Sequence, residues 1–329
     1  MSVKGKHLVH SVLLGSDSNV FKPIDKTNQK FLDFKKKILG DKSYDFIVFY
    51  NSRNINRKRT SNLILAFRMF CDNLSKEEAD KCLLIMHTEK VLDAGTDLGA
   101  VGEAFAGMYN TRVIEERFLP DDMNLLYNLC DVTCNISSNE GFGLSCAESM
   151  MAGLPVVVNV TGGLQDQIGQ TMDDGNPIEF TYNFGSNQDG KYKRCGVWGH
   201  PIWPATNYIQ GSPQTPYIFD SICKWEDVGE ALMYWYLTDK ETRITYGLEG
   251  RRWAMNEGGI NSKNMCDQFI KAMDFTLNNF EPEPEFSIHT DKEHVGHKMP
   301  FDSLGFDMPI IDKEKLKEKI NFVKLNEHF

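Results

Sequence analysis

"DVTCNISSNEGFGLSCAESMMAGLPVVVNVTGG", Asp131 to Gly163, reads as strand, loop, helix and strand in 33 residues. "DVTCNIS" is short and rich in apolar and β-branched residues, and "LPVVVNV" is apolar almost throughout. Between them, Phe142–Ala152 has helical spacing of its apolar residues and stops at Gly153. Strands apolar on both faces belong to parallel sheets that helices cover on both sides.

The same alternation extends backward. "YDFIVFYN" (Tyr44–Asn51) reads as a buried strand, and Thr60–Leu74 as a helix with Leu63, Ala66, Phe67 and Phe70 on one face. "KCLLIMHT" and "RVIEERFL" read as further strands, and "GTDLGAVGEAFAG" and "DDMNLLYNLC" as helices, the second opened by acidic residues that suit a helix N-terminus. The expected fold is therefore α/β, a doubly wound parallel sheet. After Gly163 the alternation stops. Residues 169–224, rich in Gly, Pro, Asn and aromatics, read as a long irregular insertion of the kind that forms lids. Helices resume at Lys224–Asp239, Lys240–Asn256 and Lys263–Asn279. "FEPEPEF" (Phe280–Phe286) reads as a linker, and "DKEKLKEKINFVKL" as a tail helix with Leu316, Ile320 and Phe322 or Val323 toward one side. The expected organisation is one domain over 1–280, with a linker and C-terminal helical tail over 281–329.

Composition narrows the function. A net charge of -10 argues against non-specific nucleic-acid binding. No apolar run approaches the roughly 18–20 residues that span a bilayer, and Met1–His10 lacks the apolar core of a signal peptide. Eight cysteines without a Cys-x-x-Cys pair read as reduced core thiols of a cytoplasmic protein.

Two clusters carry chemistry. Glu140–Gly143 falls at the carboxyl end of a strand, where open parallel sheets bind ligands. The helix start there offers free N–H groups to an anion, and Gly141 and Gly143 allow close approach. Glu148 lies about 9 Å further along that helix, at the margin of its apolar arc beside Leu144. A carboxylate there is costly unless bonded; a pair of ligand hydroxyls, a salt bridge or a snorkelling surface position would each satisfy it. The second cluster is "NSRNINRKRT" (Asn51–Thr60), with Arg53, Arg57, Lys58 and Arg59 after the first strand. It suits a phosphate or diphosphate, or is a solvated basic turn.

Together, "R....K" in the first strand–helix turn and "EGFGL...E...AG.PVV......GG" resemble the donor-binding half of retaining GT-B glycosyltransferases, group 1 and family 4 type. "LLGSDSNVFKP" (Leu13–Pro23) resembles the segment that begins that family's C-terminal domain, and the likeness runs from Leu13 to Ile168. The resemblance implies a Rossmann-like, nucleotide-sugar-binding domain and a hexosyltransferase that retains anomeric configuration. Its donor would be a UDP- or GDP-sugar, with no cofactor and no metal, because cations and a helix N-terminus stabilise the departing diphosphate. Arg53 and Lys58 match the basic pair on the diphosphate, Glu148 the residue on the ribose hydroxyls, and Glu140 the residue against the sugar at the catalytic position. Gly141, Phe142, Gly143 and Leu144 would border sugar or phosphate, and Leu119 with Pro120 the base. Asp121–Asp122 and Asp173–Asp174 then read as a helix start and a turn.

The family's complete enzymes carry an acceptor domain first, whereas here the donor half begins near Met1. The expectation is that a partner chain or a homo-oligomer supplies the acceptor half, with a glycan, lipid or protein as acceptor. The alternative is a nucleotide-sugar-binding module without turnover, or the donor subunit of a split enzyme. Trp198, His200, Trp203 and Tyr217 in the insertion would cover the cleft, form an acceptor surface or simply pack locally, and Arg194 and His200 are candidates for extra donor contacts.

Overall fold

Strand β1 (Phe46–Asn51) shows why these strands are continuous apolar runs. Ile47 and Phe49 enter one core layer, and Phe46, Val48 and Tyr50 the other. Successive side chains leave opposite faces of a strand, so a strand covered on both sides is apolar at every position. In the computed structural model the described residues are 10, 12–172, 174–176, 194–210 and 218–280, with the backbone alone of 2–3 and 6–7. The expected tail helix, Asp173 and Tyr217 lie outside them.

Five strands join β1 in one parallel sheet: β2 (Cys82–His87), β3 (Thr111–Ile114), β4 (Val132–Asn135), β5 (Val156–Asn159) and β6 (Gly199–Ile202). The spatial order is β3-β2-β1-β4-β5-β6, every neighbour parallel. This is the doubly wound α/β sheet that the sequence predicts. The winding reverses between β1 and β4, and such a switch point opens a crevice at the strands' carboxyl ends.

Among the described residues, the helices of eight or more residues are α1 (Gln29–Leu39), α2 (Thr60–Asp72), α3 (Leu98–Ala106), α4 (Pro120–Leu129), α5 (Leu144–Met151), α6 (Trp225–Leu237), α7 (Lys240–Met255) and α8 (Ser262–Asn279). Phe31 and Phe34 of α1, Leu126 and Tyr127 of α4, Met150 of α5 and Ala254 of α7 build one layer. Leu63 and Phe67 of α2, Leu98 of α3 and Trp235 of α6 build the other. Asp121 and Asp122 occupy the first turn of α4, behind Pro120 at its start. Among the described residues, no helix is long and apolar enough to cross a membrane.

Three features depart from the sequence reading. Helix α1 precedes the first strand–helix alternation; Asn28 Oδ1 caps it by accepting from Lys30 N at 2.9 Å, and Gly40 ends it at φ 66°. The helix expected from Phe142 starts at Leu144, because Gly143 at φ 91° turns the chain first. The stretch 169–224 is not irregular throughout: it supplies β6 and an antiparallel pair, β7 (Pro204–Ile209) and β8 (Phe219–Cys223). Strand β6, "GHPI", escapes detection because it holds Gly199 and Pro201, tolerated since β6 is the edge strand.

Trp198 belongs to the core instead of covering a cleft. It is 6% exposed, donates from Nε1 to Gln167 O at 3.1 Å, and lies with its ring centroid 5.1 Å from that of Trp253. His200 packs on Tyr234 at 5.1 Å, on the edge strand. Removing so large a buried side chain leaves a cavity as well as losing transfer energy. Trp198→Ala is therefore expected to lower stability by about 3–5 kcal/mol, read as a lower urea midpoint at unchanged slope.

Candidate functional site

Beyond the carboxyl ends of β1, β2 and β3, and beside the loop after β4, lies a cleft of about 670 Å³. Its floor is set by the turn that follows β1. Asn56–Lys58 forms one turn of 3-10 helix, Arg59 takes a left-handed φ of 54°, and α2 begins at Thr60. This tight turn aims Arg57 and Lys58 across the switch point. Arg57 Nη1 donates to Asn139 O at 2.8 Å and to Glu140 Oε2 at 3.2 Å, and Lys58 Nζ donates to the same carboxylate oxygen. Lys58 is only 7% exposed. Burial pushes its ammonium below the usual lysine range, and the Glu140 carboxylate works against that shift.

The Glu140–Gly143 loop is gripped from both sides. Ser138 N donates to Arg57 O at 2.7 Å, and Gly163 N to Glu140 O at 2.9 Å. A Cβ on Gly162 would lie 2.1 Å from Glu140 O, and one on Gly163 would lie 2.4 Å from Gly141 O, so only glycine fits at either place. Gln167 Nε2 donates to the carbonyls of Phe142 and Gly143. The β7–β8 pair braces the same loop, with Asn139 Nδ2 donating to Asp220 and Arg59 Nη2 lying 3.6 Å from Asp220 Oδ2. Helix α5 starts at this loop without a side-chain cap; Cys146 N donates to Gly143 O at 3.0 Å, and the N–H groups of Leu144 and Ser145 remain for an anion.

Glu148 lines the cleft from the second turn of α5. Its Oε2 accepts from the hydroxyl of the buried Tyr127 at 2.7 Å. Burial pushes the carboxyl above the usual glutamate range, and the Tyr127 hydrogen bond opposes it. A buried hydroxyl in α4 thus answers the carboxylate at the margin of the helix's apolar arc.

Of the residues singled out in sequence, Arg53, Lys58, Glu140, Phe142, Gly143, Leu144 and Glu148 all line the cleft. Gly141 is exposed, with open space around its Cα, and Leu119 is 75% exposed at the cap of α4; neither is among the lining residues. Arg53 is largely exposed and pairs with Glu89 at 3.5 Å, so Arg57 is the cation that joins Lys58 on Glu140. The sequence reading did not select Asn51, His87, Glu89, Glu115 or Arg117, which also line the cleft. All follow from one signal, their place at or just past the carboxyl ends of the first three strands.

Residues 106–180 match the family model for glycosyl transferases group 1. That stretch contains both Glu140 and Glu148. A search of curated proteins finds no match. Solved structures of similar fold include a glycosyltransferase from Rickettsia africae ESF-5 (15% identity, TM-score 0.53, covering 81% of this chain and 57% of that one). Sucrose-phosphate synthase from Thermosynechococcus elongatus gives 16%, 0.54, 80% and 52% in the same order. Anabaena Alr3699/HepE in complex with UDP and glucose gives 17%, 0.54, 82% and 56%. The fold is thus the Rossmann-like α/β fold of GT-B glycosyltransferases, and the chain spans a little over half the length of those proteins.

Beneath the loop, in the 3-10 turn Gly162–Gln167, burial pushes the Asp166 carboxyl up to about 6, and its Oδ1 has no hydrogen-bond partner. The folded state therefore holds this proton more tightly than the unfolded chain does. Stability falls as pH rises from 3.8 to about 6 and stays reduced above. Asp166→Asn is expected to remove that fall and to gain about 1–3 kcal/mol at neutral pH, measured by chemical unfolding across pH 4–8.

Proposed function

We propose that this chain binds the donor of a glycosyltransferase reaction, a UDP- or GDP-sugar, and that the sugar passes to an acceptor with retention and without a metal ion. One observation carries the reading: Lys58, Glu140 and Glu148 meet in a single cleft beside the uncapped start of α5. The diphosphate would lie against Arg57, Lys58 and the first N–H groups of α5, with Arg53 able to reach it from the rim. Charge builds on the leaving diphosphate as the glycosidic bond breaks, and fixed cations and helix N–H groups stabilise it there. Glu148 would accept from the ribose hydroxyl pair. Glu140, released from Lys58 as the ammonium turns to phosphate, would face the sugar.

The match of residues 106–180 to the glycosyl transferases group 1 family supports this reading, as does the shared fold with Anabaena Alr3699/HepE, solved with UDP-glucose. Acceptor recognition would fall to residues beyond the described ones, whether of this protein, a partner chain or a second copy. All eight cysteines are free and six are buried, which supports a reducing compartment such as the cytoplasm.

Thermal-shift and calorimetric titrations with UDP, GDP and their sugars test the site, because a ligand that binds only the folded state raises the midpoint. Lys58→Ala and Glu148→Ala are each expected to weaken binding about 10- to 100-fold, the worth of one hydrogen bond to a charged group. Unchanged affinity in both variants sinks the assignment. Tight binding with neither sugar release nor transfer, alone or with candidate acceptors, indicates a binding module.

A further inference from the structure

Glu148 ends a chain of hydrogen bonds that links four elements, β2, β1, α4 and α5. Nε2 of His87, the last residue of β2, lies 2.9 Å from Glu116 O, and Nδ1 lies 2.8 Å from Asn51 Oδ1, at the end of β1. Asn51 Nδ2 donates to the Tyr127 hydroxyl at 2.9 Å, which donates to Glu148 Oε2 at 2.7 Å. We propose that His87, Asn51 and Tyr127 are positioning residues, a relay that sets the direction of hydrogen bonding at Glu148 and keeps it an ionised acceptor for the donor's ribose hydroxyls. The ribose rests on the functional reading above; the relay itself does not.

The direction follows from counting protons. A carbonyl oxygen only accepts, so Nε2 donates to Glu116 O and Nδ1 donates to Asn51 Oδ1. Asn51 then has its amide N–H for Tyr127, and Tyr127 has its single proton for Glu148. Suppose instead that Nδ1 is bare. It needs a donor, so the Asn51 amide turns by 180° and shows Nδ2 to His87 and Oδ1 to Tyr127. Tyr127 must then give its proton to Asn51, and Glu148 keeps the contact only as a carboxylic acid that donates to the tyrosine oxygen. The two arrangements hold equal numbers of protons: one leaves His87 Nδ1 and one is gained by Glu148 Oε2. Only the first leaves Glu148 a full acceptor for a pair of hydroxyls.

The surroundings of both ends are polar or charged on the cleft side. His87 stacks on Phe118 at 5.6 Å, and Lys37 lies over that ring while pairing with the Glu116 carboxylate at 2.7 Å. Arg53, Glu89, Glu115 and Arg117 face the cleft near it. On the side of Glu148, Arg57 and Lys58 are engaged by Glu140. The relay runs behind these pairs, through the buried hydroxyl of Tyr127.

The first test needs no ligand: double-mutant cycles in urea unfolding of the full chain. Tyr127→Phe and Glu148→Gln are expected to be coupled, the double variant losing clearly less in midpoint than the sum of the two single losses, and Asn51→Leu, which cuts the link without altering α4, is expected to show the same coupling to Glu148→Gln. Additive losses in both cycles overturn the relay. The second test compares UDP with 2′,3′-dideoxy-UDP. Tyr127→Phe, Asn51→Leu and His87→Phe are each expected to weaken UDP about fivefold and to leave the dideoxy nucleotide unchanged. Equal losses for the two nucleotides overturn the link from relay to ribose. Absence of binding by either nucleotide overturns the donor reading, while the unfolding cycles still decide the relay.

Discussion

The ion pair between Lys58 and Glu140 is the contact on which the site depends. Its partners are 82 residues apart, one after β1 and one after β4, and they meet because those strands are neighbours across the switch point. A lysine this buried is tolerable only with a paired and hydrogen-bonded anion. The pairing therefore holds two loops at once, each with its own reason to be tight: the left-handed Arg59 on one side and the glycine contacts of Gly162 and Gly163 on the other. The β7–β8 pair reaches over both through Asp220, itself nearly fully buried.

Charge in the cleft is balanced. Arg53, Arg57, Lys58 and Arg117 stand against Glu89, Glu115, Glu140 and Glu148. Before any ligand arrives, Arg53 pairs with Glu89, and Arg57 and Lys58 pair with Glu140. On the proposed reading, a diphosphate would compete with Glu140 for Lys58 and Arg57, so exchanging one anion for another would cost less than uncovering a bare cation. The N-terminus of α5 adds donors that no side chain occupies. Glu148 stands apart from this exchange, its partner being the uncharged hydroxyl of Tyr127.

Much of this was legible in the sequence, and the illegible parts share a cause. The strands β1, β2, β4 and β5 read correctly because burial on both faces leaves an unbroken apolar run. Strand β6 did not, since an edge strand admits Gly199 and Pro201. Helix α1 carried its signals in plain sight, Asn28 before it and Gly40 after it, but lay ahead of the alternation that organised the reading. Lys58, Glu140 and Glu148 were identifiable as a set because residue type and place in the strand–helix order coincided. Arg57 could not be ranked above Arg53, because both stand in one short turn and only its geometry decides which of them reaches across.

Local pattern thus determined the parallel sheet, its winding and the end at which a ligand site would open, because burial period and strand order are written residue by residue. Tertiary structure alone decided the partners: Glu140 with Lys58 and Arg57, and Glu148 with Tyr127, Asn51 and His87. These residues come from β1, β2, α4, α5 and the loops after β1 and β4. They meet only because parallel strands deliver their carboxyl ends to one edge of the sheet, and no spacing along the chain records which side chains then fall within hydrogen-bond reach.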